Sequence, residues 1–216
     1  MSPPDPEDLI APVVARSRVI AVVTVEEARV GPPLARALAA GGVPVVEITL
    51  RTPAGLEAIR AAADETPEAL VGAGTCLTVA DLAAAKRAGA AFAVSPGLRP
   101  ELLDAARELG LPYLAGAATP SDVMTALEHG YRTLKFFPAE PAGGLPYLRA
   151  LAGPFPQVRF CPTGGITAET APRFLAEPNV ACLGGSWLAP GDALRDGDWT
   201  RVTRLAGEAR GVAEPA

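Results

Sequence analysis

The stretch S-D-V-M-T-A-L-E-H-G-Y-R-T-L-K-F-F-P-A-E, residues 121–140, contains the unit from which the whole chain is built. Residues 121–129 read as a helix closed by Gly130, since glycine accepts the left-handed conformation that ends helices. The short, mostly apolar run between Gly130 and Pro138 has the composition of a buried strand. The same alternation recurs in both directions. Residues 19–23, V-I-A-V-V, form a β-branched run of the kind covered on both faces. Further strands are predicted at 45–49, 70–74, 91–95, 112–115, 158–161 and 180–183. Helices are predicted between them at 26–40, 53–64, 79–88, 100–109, 145–152 and 167–176, with a last one at 200–210. Gly31-Pro32-Pro33 must interrupt or restart the helix at 26–40. A leading helix at 6–16 places Leu9, Ile10, Val13 and Val14 on one face.

Eight strand-then-helix units with short crossovers either close into a barrel or spread into a wide open sheet. Closure removes both sheet edges and suits 216 residues. The expected fold is therefore α/β: a single-domain (β/α)8 TIM barrel over 1–216, with its short N-terminal helix within 1–17. A doubly wound sheet is the alternative. Against it, Thr24-Val25-Glu26 stands where a dinucleotide-binding glycine fingerprint would follow the first strand.

Composition removes several function classes. The net charge is −5 and there is no basic tail or stripe, which argues against nucleic acid as a partner. No apolar run reaches the roughly 18 residues of a membrane span. The N-terminus, M-S-P-P-D-P-E-D-L, is acidic and Pro-rich, unlike a secretory signal. The three cysteines, Cys76, Cys161 and Cys182, form no CxxC pair and read as reduced, buried small hydrophobes in a cytoplasmic setting. Hydrophobic residues make up 49% of the chain but aromatics only 5%, so Ala, Val and Leu must fill the core.

In a barrel the chemistry sits at the C-terminal ends of the strands. Lys135 and Lys86 are the only lysines, and 17 of the 19 basic residues are arginine. Lys86 lies beside Arg87 in an Ala-rich helix and is expected in solvent. Lys135 lies inside an apolar strand. Lysine is rarely buried unless it is paired or functional. A desolvated amine is a nucleophile toward carbonyls; the competing reading is a lysine that only snorkels or pairs. Glu47 likewise interrupts Val45-Val46-x-Ile48, and is either a proton shuttle or a plain counter-ion to Lys135. Arg51 follows, with a planar fork suited to a carboxylate. Gly164-Gly165 and Gly184-Gly185, the latter followed by Ser186, end adjacent strands where many barrels bind phosphate through backbone amides. A metal site or a Ser-His-Asp triad would have to be built on His129, the one histidine, which reads instead as a helix-end cap.

Six motifs in order complete the reading: V-E-I-T-L-R-T (46–52), G-A-G-T (72–75), S-P-G (95–97), K-F-F-P-A-E (135–140), C-P-T-G-G-I (161–166) and G-G-S-W-L (184–188). They resemble the 2-keto-3-deoxy-6-phosphogluconate aldolase family, also called the 4-hydroxy-2-oxoglutarate aldolase family, across nearly the whole chain. The resemblance implies a class I aldolase on a (β/α)8 barrel, a cytoplasmic homotrimer working without metal or cofactor on a keto-acid sugar phosphate. It implies that Lys135 forms a Schiff base with pyruvate or substrate and that Glu47 moves protons. Arg51 and Thr75 would hold the pyruvyl carboxylate. Pro96, Phe137 and Thr163 would shape the pocket, and Gly164, Gly165, Gly184, Gly185 and Ser186 would receive the phosphate. Two stretches depart from the family pattern: Ala115-Gly116-Ala117-Ala118-Thr119, and the end of the first strand at Ala21-Val22-Val23-Thr24. Both bear on substrate preference. The galactonate epimer, unphosphorylated 4-hydroxy-2-oxoglutarate, and a non-catalytic sugar-phosphate-binding barrel are the alternatives.

Overall fold

The computed structural model describes residues 4–213; residues 1–3 and 214–216, the two ends of the expected domain, lie outside the described residues. The strands are β1 (Val19–Val23), β2 (Val45–Thr49), β3 (Leu70–Gly74), β4 (Ala93–Val94), β5 (Tyr113–Leu114), β6 (Gly116–Ala117), β7 (Thr133–Phe136), β8 (Arg159–Pro162) and β9 (Leu183–Gly185). The helices are α1 (Pro6–Arg16), α2 (Gly31–Ala40), α3 (Gly55–Glu65), α4 (Val79–Arg87), α5 (Pro100–Glu108), α6 (Pro120–Glu128), α7 (Gly144–Ala152), α8 (Ala171–Leu175), α9 (Gly191–Asp196) and α10 (Trp199–Ala213). None is long and apolar enough to cross a membrane.

Every strand pair is parallel. One sheet runs β5-β4-β3-β2-β1-β9 and the other β6-β7-β8. They meet at two seams. β5 and β6 flank Ala115, whose carbonyl accepts from the Lys135 amide at 2.8 Å. Across the other seam, Phe160 bridges Val180 and Thr163 bridges Gly184. The result is a curled parallel sheet with helices outside.

The inner face has its own apolar floor. Ile20, Val45, Phe92, Val94, Leu114, Cys161 and Cys182 pack there against Ile10 and Val13 of α1. Asp5 starts α1 by accepting from the Glu7 amide, a side-chain cap for an otherwise orphaned donor. Glu7 then fastens the helix to β7. Its carboxylate accepts from the amides of Arg132 (2.8 Å) and Thr133 (3.1 Å) and from the Thr133 hydroxyl. Two capping boxes, Thr78/Asp81 and Thr119/Asp122, start α4 and α6 in the same economical way.

The expected interruption at Gly31-Pro32-Pro33 is found, and two other points differ from expectation. The helix predicted at 26–40 is split: a 3-10 turn covers Ala28–Val30, and α2 restarts with Pro32 and Pro33 in its first turn, where a missing N–H costs nothing. The last strand is shifted from 180–183 to Leu183–Gly185, because its register is set by pairing with β1, Val19 opposite Leu183. α9 was not anticipated, and it becomes part of the site.

Candidate active site

Side chains alternate across a strand, so Val45, Glu47 and Thr49 of β2 point to one face and Thr133 and Lys135 of β7 to one face. Both rows turn inward. Lys135 is 5% exposed and Glu47 3% exposed. The Lys135 Nζ donates to both oxygens of Glu47, at 3.1 and 3.2 Å. Taking both charges out of water is expensive, and geometry this close is what makes it tolerable. The Phe137 ring, its centroid 5.5 Å from Nζ, adds a face that favours a cation.

Glycines make the room. A Cβ on Gly74 would lie 2.2 Å from Glu47 Oε1, so any larger residue there would displace the carboxylate. A Cβ on Gly184 would lie 2.3 Å from Thr163 Oγ1. Gly164 and Gly165 adopt φ of +103° and +80°, a region that side chains rarely enter.

Above the ion pair opens a cavity of about 460 Å³. It brings together Arg51, Phe137, Thr163, Gly164, Gly165, Gly184 and Ser186. These come from four separate strand ends, those of β2, β7, β8 and β9. Lys135 and Glu47 are not in the lining; the Lys135 Nζ adjoins it through the Phe137 ring, its centroid 5.5 Å away. Thr75, Pro96 and Gly185 stand outside the lining. Thr75 follows Gly74 at φ 62°, a left-handed conformation that costs a β-branched residue about 1–3 kcal/mol. Pro96 presses its backbone onto Gly116, where a Cβ would meet the Pro96 carbonyl carbon at 2.3 Å. Gly185 makes space for the Trp187 ring, which a Cβ would meet at 2.0 Å.

Sequence reasoning missed part of the wall. Val22 and Thr24 enter from β1, and Pro190, Gly191 and Leu194 from the segment around α9. The dipeptide Pro190-Gly191 was the available signal for a helix start there. It also missed Ser95, 1% exposed, whose hydroxyl donates to the Gly97 carbonyl (2.7 Å) and accepts from Tyr113 (2.6 Å) and the Gly116 amide (3.2 Å). That knot fixes the ends of β4 and β6 beside the lysine.

The remaining titratable groups take structural places. All three cysteines are free and buried, and burial pushes the Cys76 thiol up to about 12. His129 ends α6, its Nδ1 2.9 Å from the Thr125 carbonyl oxygen. Lys86 is exposed, as expected. Among the described residues no group of three or more His, Cys, Asp or Glu is placed to hold a metal.

An amine kept from water beside a carboxylate, next to a cavity lined by glycine-rich strand ends, defines a class of site: one for imine chemistry on a carbonyl compound, with an anionic group held further out. The comparisons give the family. The model for "KDPG and KHG aldolase" matches residues 10–205, and the chain belongs to that family. It is 52% identical over 191 residues to the KHG/KDPG aldolase of Escherichia coli (strain K12), covering 88% of this chain and 90% of that one. A KDPG aldolase of Legionella pneumophila, solved with pyruvate captured at low pH as a covalent carbinolamine, superposes with a TM-score of 0.89 at 44% identity, covering 92% of this chain and 96% of that one. The 2-keto-3-deoxy-6-phosphogluconate aldolase of Zymomonas mobilis ZM4, solved with 3-phosphoglycerate, gives a TM-score of 0.88 at 45% identity, covering 94% and 95%.

Proposed function

We propose that this chain is a class I aldolase. It cleaves 2-dehydro-3-deoxy-6-phosphogluconate to pyruvate and D-glyceraldehyde 3-phosphate, and 4-hydroxy-2-oxoglutarate to pyruvate and glyoxylate. The observation that carries this reading is the buried contact of the Lys135 Nζ with Glu47 at 3.1 Å.

Glu47 is placed to take a proton from the ammonium, freeing the amine to attack the keto carbon. The carbinolamine loses water to give a protonated imine. The C3–C4 bond then breaks, its electron pair moving into the imine to form an enamine. The C4 hydroxyl proton passes to Glu47 as the aldehyde forms. Glu47 returns a proton to C3, and water hydrolyses the resulting imine to release pyruvate. Arg51 and Thr75 hold the pyruvyl carboxylate. Pro96, Phe137 and Thr163 shape the pocket. Gly164, Gly165, Gly184 and Ser186 receive the phosphate, with Gly185 supporting them from behind.

The same proposal treats the chain as one closed (β/α)8 domain, a cytoplasmic homotrimer that needs no metal or cofactor. The two seams at Ala115 and Thr163 support closure. The unpaired cysteines support a reducing compartment.

Borohydride reduction in the presence of pyruvate tests the proposal. A mass adduct on Lys135 is the expected result, together with pyruvate release in a lactate dehydrogenase-coupled assay. An adduct confined to Lys86, or tight sugar-phosphate binding without pyruvate release, would overturn it.

A further inference from the structure

Thr24 directly follows β1 at the cavity wall, and its Oγ1 lies 2.8 Å from Oγ1 of Thr49. Thr49 is fully buried, and its hydroxyl meets no other protein group among the described residues. The two hydroxyls hold two protons, and the bond between them uses one. Were Thr24 the donor, the Thr49 proton would be left buried without an acceptor, which costs a full desolvation penalty. Thr49 therefore donates to Thr24. Thr24, only half-buried, turns its own O–H into the cavity. The position is held from behind, because the Thr52 hydroxyl donates to the Val25 carbonyl at 2.6 Å.

The height of this donor in the cavity decides what it meets. Val22 is the partner of Glu47 in the β1–β2 register. Thr24 therefore stands two residues above the Glu47 layer, about 7 Å along the strand at about 3.3 Å per residue. Below it is the lysine that takes the keto carbon. Beside it is β9, which pairs with β1, and beyond β9 lies β8; their glycine turns line the same cavity. A substrate stretched between the two passes its fifth carbon beside Thr24. Both proposed substrates carry oxygen on that carbon: a hydroxyl in the sugar phosphate, a carboxylate in 4-hydroxy-2-oxoglutarate.

We infer that the Thr24–Thr49 hydroxyl pair is a specificity device: Thr24 donates a hydrogen bond to the oxygen on C5 and selects oxygenated aldehydes over deoxy ones. The inference rests on the aldolase reading of the same site. Its experiment separates the two.

Aldol addition of pyruvate is measured with D-glyceraldehyde 3-phosphate and with 3-phosphopropanal, which lacks the hydroxyl that becomes the C5 oxygen. The proteins are the full chain, T24V and T24S. Exchange of the pyruvate methyl protons for deuterium is followed by NMR in each, since it needs Lys135 and Glu47 but no aldehyde. The expected result is a preference for the hydroxylated acceptor in kcat/KM that shrinks about tenfold in T24V and survives in T24S. Methyl exchange should be equal in all three. A T24V protein with the full wild-type preference overturns the inference, and so does a T24V protein in which exchange falls as far as addition. A wild-type protein that shows no exchange overturns the aldolase reading itself.

Discussion

The two ends of the sheet interior are built on the same strands and behave oppositely. At the α1 end, Val45, Phe92, Leu114 and Cys182 give a dry floor. One pleat higher, β2 replaces Val45 with Glu47, and another pleat higher with Thr49. Cys182, just before β9, gives way to Gly184, and Cys161 of β8 to Thr163 just after it. β2 thus runs from packing to charge to hydrogen bonding within three inward positions. The lesson is that the floor is part of the chemistry: an apolar layer offers the lysine and glutamate no polar partner from below, so they rely on each other, on the Phe137 ring and on whatever enters from the mouth.

Mutations at successive heights sharpen this contrast. The largest effect belongs to Lys135→Met, which keeps the volume and removes the amine. Turnover should fall by about 10⁴-fold or more, with no borohydride-trapped adduct at position 135, while circular dichroism is unchanged. Glu47→Gln comes next. It keeps a hydrogen-bonding partner for the lysine but cannot carry the proton, so kcat should drop by about 10²–10⁴-fold while slow adduct formation persists in the mass spectrum. Phe92→Ala acts on the floor. Phe92 is fully buried and fills the space left by Gly72, where a Cβ would meet its ring at 2.5 Å. Removing the ring should cost about 3–5 kcal/mol in urea unfolding. If it leaves stability untouched and abolishes adduct formation, the division into floor and mouth is wrong.

The smallest effect lies outside the sheet. Hydrogen bonds from Arg149 hold the Glu177 carboxyl below the usual carboxylate range. A carboxyl lowered on folding adds stability above its ordinary pKa of about 4.3, and that stability is lost as pH falls through the lowered value. Glu177→Gln should therefore lower Tm slightly at pH 7, with the difference closing below about pH 4. A constant difference across that range would show that the ion pair is not its source.

Much of this contrast was legible in the chain. β1, β2 and β3 fall where their β-branched or glycine-ended runs placed them, because a strand covered on both faces leaves an uninterrupted apolar signature. Lys135 and Glu47 were visible as charges inside such runs, although 88 residues apart. Thr24 was not visible as a donor, because a threonine at a strand end looks like ordinary turn chemistry until Thr49 is seen beside it. Gly185 was read as an anion site together with Gly184, but a double glycine does not say which member lines the cavity, and Gly184 is the one that does. β9 slid because Val180-Ala181-Cys182-Leu183 is apolar throughout, and only its neighbour fixes which residues pair.

The clasp between Glu7 and the start of β7 joins residues 125 positions apart. During synthesis α1 emerges well before its berth, so it must wait for the intervening chain to be made before it can dock. The lysine strand thus takes its anchor from a helix made long before it.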